Sequence, residues 1–142
     1  MVRTIDGGDG VPPEPNWRTI FGRKEDREVA SEHWAYVISE MRTAEKLAVA
    51  NQHAIKRLVV AYVNYDRSAK EVARLGPVIK APKTGAPTYN PWWTTMSNAD
   101  SQAAALEKQL CIAPRDRNAG GKVQKAQSRK TASQDYLKPV AK

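Results

Sequence analysis

The sequence is short of the residues from which most active sites are built. Its 142 residues include one cysteine and two histidines. The lone thiol, Cys111, excludes an internal disulfide framework and any zinc or iron–sulfur site held by several thiolates. Long apolar runs are also missing. The longest, Leu58 to Val63, is six residues, where crossing a bilayer takes roughly twenty. No signal-peptide pattern opens the chain, since Asp6, Gly7, Gly8 and Asp9 stand where its apolar stretch belongs. The expectation is a soluble intracellular protein, one domain with tails and no membrane partner.

Catalytic groupings are equally scarce. His33 and His53 have no second histidine at the four-residue spacing of a helical zinc site. Cys111 has no CxxC neighbour and reads as a structural thiol at a helix end. The carboxylates occur singly or on one solvated helix face, in no recognisable acid–base or two-metal pair. Gly120-Gly121-Lys122 lacks the upstream glycine and the following Ser/Thr of a phosphate loop. Carboxylates distant in sequence can meet in space, but the residues as they stand predict no cofactor, no metal and no enzyme.

What is present in excess is positive charge. The chain has 23 Lys and Arg against 15 Asp and Glu, a formal +8. Divided at Pro114, residues 1–114 carry 15 basic and 13 acidic side chains, and residues 115–142 carry eight against two. The last 28 residues therefore hold +6 of the +8. They are rich in Gln, Ser, Ala and Lys and bury too little apolar surface to offset their ordering entropy, which predicts a disordered tail. A flexible polybasic tail suits polyphosphate, where affinity comes from counterion release and needs no fixed geometry. A solubilising tail without a partner is the other reading.

The body reads as mainly α. Residues 1–24 form a flexible arm, because Gly7, Gly8, Gly10 and Gly22 with Pro12, Pro13 and Pro15 oppose both helix and strand. Trp17, Ile20 and Phe21 either anchor that arm or decorate a loose terminus. A helical domain is predicted over 25–117, followed by the tail at 118–142. Val29, Ala30, Trp34, Val37, Ile38 and Met41 make one apolar stripe on a first, shorter helix. A turn is expected at Arg42 to Ala44, and then a longer helix from Glu45 to Leu75, stopped by Gly76-Pro77.

That long helix has two apolar faces. Ala54, Leu58, Ala61, Tyr65 and Val72 line one, and Ile55, Val59, Tyr62, Val63 and Ala69 fill its flank. It needs partners on two sides, either copies of the chain or its own other helices. Residues 77–90 suit a short β-hairpin or ordered loop turning at Lys83-Thr84-Gly85. Asn90-Pro91 then opens a third helix as N-cap and first-turn proline. Trp92, Met96, Ala99, Ala103, Leu106 and Leu110 form a heptad seam along it.

A helix-turn-helix is also conceivable for the first two helices, but the second is about twice the length of a recognition helix. Arg67, Lys70 and Arg74 line its last turns as a basic ridge, or simply complement the helix dipole there.

The order of these motifs resembles the phage terminase small-subunit family. A Trp-bearing helix precedes LVVAYVNYDRSAKEVARLGPVI, then come Lys83-Thr84-Gly85, Asn90-Pro91 and a helix ending in Leu110-Cys111-Ile112-Ala113-Pro114-Arg115-Asp116-Arg117. The family ends its helical domain in an LGLTPxxR-type sequence, matched here at Leu110, Ile112, Pro114 and Arg117. It also has a Gly-x-Val-Ile-like strand, matched at Gly76, Val78 and Ile79, and an Asn-Pro helix start. Cys111 stands where the family has Gly, and Ala113 where it has Thr. A glycine would suit a left-handed helix terminus, which cysteine adopts at some cost.

The resemblance implies a non-catalytic subunit that forms a ring, binds viral double-stranded DNA in the host cell cytoplasm, and presents it to a large subunit bearing ATPase and nuclease. It also implies that the second and third helices make the subunit contacts, through Ile55, Val59, Tyr62, Val63, Trp92, Met96, Leu106 and Leu110. Arg115, Arg117, Lys122, Lys125, Arg129 and Lys130 would meet DNA phosphates. The competing expectation is a monomeric or dimeric helical nucleic-acid-binding regulatory protein.

Overall fold

The computed structural model describes residues 10–118. Three helices carry the fold: α1 (Lys24–Thr43), α2 (Gln52–Leu75) and α3 (Pro91–Gln109). Two short antiparallel strands, β1 (Val78–Lys80) and β2 (Pro87–Tyr89), form a hairpin between α2 and α3. The mainly helical architecture and the position of the hairpin agree with the sequence reading. At 20 residues, α1 is no shorter than the 19-residue α3.

The core is built around α2, which packs most extensively on α3 and also on α1. Ile55, Leu58, Val59, Ala61 and Val63 are buried between them. Ala30, Trp34, Val37, Ile38 and Met41 bury the predicted stripe of α1, and Ala99, Ala103, Leu106 and Leu110 bury the predicted seam of α3. The middle of both apolar faces of α2 is thus covered within one chain, while Tyr65 stays exposed and Ala54, Tyr62, Ala69 and Val72 are half-buried.

The segment before α1 joins this core from residue 11 onward, which differs from a flexible arm reaching to residue 24. Trp17 and Phe21 are buried, and Trp17 meets Trp34 edge-on at 6.0 Å between ring centroids. Polar ties hold the backbone down. The Glu14 carboxylate accepts from Trp17 Nε1 and from Ser31 Oγ, both at 2.7 Å, while Gln52 Nε2 donates to the Pro13 carbonyl at 2.9 Å. The prolines and glycines leave only one 3₁₀ turn here, Trp17–Thr19, whose first turn Asn16 Oδ1 caps by accepting from Arg18 N–H at 3.1 Å. Burial of two aromatic side chains needs no longer element.

The helix ends explain the one displaced boundary. α2 begins at Gln52, not at Glu45, because Glu45 takes a left-handed conformation with φ 56°. Glu45 N–H donates to Arg42 C=O at 3.0 Å and Lys46 N–H to Met41 C=O at 2.8 Å. That pair of bonds closes the last carbonyls of α1 as a glycine terminus would. A short 3₁₀ turn at Val49–Asn51 then leads into α2. α3 ends in the same way: Cys111 has φ 55°, with Cys111 N–H on Lys108 C=O and Ile112 N–H on Glu107 C=O. Cysteine here occupies the left-handed position in which glycine would be unstrained.

Candidate nucleic-acid interface

The hairpin and the two helix ends that carry it form one locally determined unit. Gly76 ends α2 with φ 82° and ψ 164°, a region that side chains other than glycine avoid. Asn90, fully buried, then locks the base of the hairpin from three directions. Its N–H donates to Pro77 C=O at 2.9 Å, its Nδ2 donates to Gly76 C=O at 2.9 Å, and its Oδ1 accepts from Trp92 N–H at 3.0 Å as the N-cap of α3. Val78 pairs with Tyr89, Ile79 with Thr88 and Lys80 with Pro87. Alternation along the strands sets Val78, Lys80, Pro87 and Tyr89 on one face, and all four are exposed.

The expected DNA-contacting residues divide between the structure and its margin. Arg115 and Arg117 follow α3 and are exposed. Arg117 is already engaged: its guanidinium reaches Glu40 of α1 at 3.1 Å and donates to Ile112 C=O at 3.3 Å, pinning the end of the domain to α1. Lys122, Lys125, Arg129 and Lys130 lie outside the described residues. Of the expected subunit contacts, Ile55, Val59, Val63, Leu106 and Leu110 are buried in the protomer's own core. Tyr62, Trp92 and Met96 are half-buried and retain surface. The buried five are hidden because the two helices expected to face neighbours face each other.

Three polar contacts join residues too far apart for spacing in the sequence to suggest them. His33 Nε2 lies 2.7 Å from Asp66 Oδ2, joining α1 to α2. Tyr62 donates from its hydroxyl to Glu107 Oε1 at 2.6 Å, joining α2 to α3. Burial, and next the Glu107 carboxylate, push that phenol well above its ordinary range. Arg67 bridges all three helices, with Asp26 at 3.5 Å and its guanidinium 5.8 Å from the Trp92 ring centre. Among the described residues, no group of three His, Cys, Asp or Glu is placed to hold a metal ion, and no helix is long and apolar enough to cross a membrane.

Charge is distributed more unevenly than a division at Pro114 reveals. Between Arg67 and Trp93 there are five basic side chains and one acidic, a net +4. The remaining described residues, 10–66 and 94–118, hold equal numbers of each sign. The whole net charge of the described protein therefore belongs to the end of α2, the hairpin and the start of α3.

Comparison with known proteins bears directly on this arrangement. No match was found among curated proteins or among solved structures. The family model described as phage terminase, small subunit, matches residues 30–127, which spans most of the chain and includes α2, the hairpin and α3. The chain belongs to the phage terminase small-subunit family, and its role is in phage DNA packaging.

Proposed function

We propose that this protein is the non-catalytic, DNA-binding subunit of a packaging machine: it binds viral double-stranded DNA and presents it to the large terminase subunit. The family match over residues 30–127 carries this reading. The charge distribution supports it, since six further basic side chains against one acidic lie between residues 119 and 142. In this reading Arg115, Lys122, Lys125, Arg129 and Lys130 contribute phosphate contacts, which set affinity and carry little sequence information. Arg117 serves DNA only if it leaves Glu40.

The protein acts as a homo-oligomeric ring in the host cell cytoplasm. Trp92, Met96 and Tyr62 are the members of the expected subunit contact that still offer surface, while the buried residues act through the shape of the protomer. A ring multiplies the monomer's charge around one DNA, so that a modest excess per chain becomes a strong field.

Two measurements test this. Light scattering on the full chain should return a mass several times 15.8 kDa; a monomer at micromolar concentration would remove the ring. Deleting residues 118–142 should weaken duplex binding and reduce the dependence of log affinity on log salt by up to about 5, at about 0.9 per phosphate neutralised. An unchanged salt dependence would remove the tail from the interface.

A further inference from the structure

We infer that the β1–β2 hairpin is itself a DNA-contacting β-ribbon, a second site distinct from the basic tail. The inference rests on the DNA-binding reading above and assigns it a location within the folded body.

Four large apolar side chains are left exposed at this end: Tyr89 at 72%, Val78 at 53%, Leu75 at 43% and Trp93 at 41%. Val78 and Tyr89 lie on the hairpin, which packs little on the helices beyond its base at Asn90, and Leu75 and Trp93 flank that base at the end of α2 and the start of α3. Their surroundings are positive. Arg74 leans on Glu71 and Arg67 on Asp26, but among the described residues Lys70, Lys80 and Lys83 pair with no carboxylate. Exposed aromatic and apolar side chains interleaved with unpaired lysines suit a polyanion that also offers apolar surface, which is the chemistry of nucleic acid.

The shape selects duplex DNA. A two-stranded antiparallel ribbon fits the major groove, where an apolar side chain can meet thymine methyl groups and lysines can reach phosphates or guanine. Strands of three residues advance about 10 Å, comparable with the depth of that groove. The tip, Lys83-Thr84-Gly85, would enter first, with Lys80 and Tyr89 behind it on one face. A second copy of the chain is the less suitable occupant. Lys80 and Pro87 stand opposite each other, and a lysine on one edge with a proline on the other disfavours strand addition. Two surfaces of net +4 would also repel.

The test uses the full chain and a fluorescein-labelled DNA duplex, with affinity followed by anisotropy over a salt series and mass by light scattering. All substituted side chains are exposed, so thermal melts should coincide with that of the parent protein. K80Q/K83Q should lower the slope of log affinity against log salt by about 1.8, two phosphates' worth. Tyr89→Ala should weaken duplex binding about tenfold with the slope retained, as loss of an apolar groove contact requires. Parent-like binding in both variants overturns the hairpin site and leaves the DNA-binding reading intact, provided that removal of the tail still weakens binding. A parent protein that does not bind duplex overturns both. A fall in assembly mass in either variant also overturns the inference, because the hairpin is then a contact between copies.

Discussion

The two ends of α2 are made of similar residues and have opposite fates. Toward its start, Ile55, Leu58, Val59 and Val63 are buried; at its finish, Leu75 is exposed beside Val78 and Tyr89. Helix pattern does not distinguish them. What differs is the covering chain: α1, α3 and the docked Trp17 and Phe21 enclose the core, whereas the last turn of α2 meets only the start of α3 and the base of the hairpin, and Leu75 is left exposed. The charge divides along the same line, balanced outside residues 67–93 and +4 within them. One end therefore supplies stability, and the other leaves apolar and basic groups exposed.

The largest expected effect exploits that contrast within a single helix and a single residue type. Leu58→Ala should cost about 2–5 kcal/mol, from lost transfer energy and the cavity left behind. Leu75→Ala should lie within about 0.5 kcal/mol of the parent. Urea denaturation of the two variants measures both. Similar losses would mean that Leu75 is covered in solution, as an interface between copies would cover it, and the comparison would fail.

Asn90 is the exception within the exposed end, a buried polar side chain with each of its groups partnered. Asn90→Ala removes the α3 cap and leaves Gly76 C=O without its side-chain donor, a loss of about 2 kcal/mol. Asn90→Ser restores a capping oxygen but not the bond to Gly76, and should recover about half. Hydrogen exchange in the hairpin amides checks the local part of this expectation. Faster exchange there, with the core of α2 unchanged, would place Asn90 at the hinge between the two regions.

The legible parts of this fold were those decided locally. Gly76-Pro77 and Asn90-Pro91 marked the end of α2 and the start of α3, because glycine, proline and a capping asparagine impose their geometry without help from the rest of the chain. Glu45 carried no such signal, since its left-handed conformation is forced by the closing bonds of α1, and the start of α2 was misplaced by seven residues. Docking of Trp17 and Phe21 has no local signal, because it depends on a surface made by α1 and α2. The pairs His33–Asp66 and Tyr62–Glu107 bring together residues 33 and 45 positions apart, beyond any spacing rule. The basic character of residues 67–93 was visible in principle. The balanced remainder of the body dilutes it, so the net charge of residues 1–114 hides the local excess.

The smallest expected effect probes the boundary between the two regions, where Tyr62 joins α2 to α3. Tyr62→Phe removes the hydroxyl bonded to Glu107 and should cost about 1 kcal/mol at neutral pH. Its alkaline behaviour is the sharper readout. In the unfolded chain the phenol ionises near pH 10. In the folded protein burial and Glu107 hold its proton to higher pH. Below pH 10 both states keep the proton and the contribution of Tyr62 is undiminished. Above it the unfolded state binds fewer protons than the native state, so stability falls as pH rises toward the raised native value. Phenylalanine cannot ionise, so the difference between parent and variant should shrink between pH 10 and 11 in urea midpoints. Deprotonation of lysines affects both proteins and cancels in that difference. A gap independent of pH would show that the hydroxyl is solvated in the native state and that α3 separates from α2 at Tyr62.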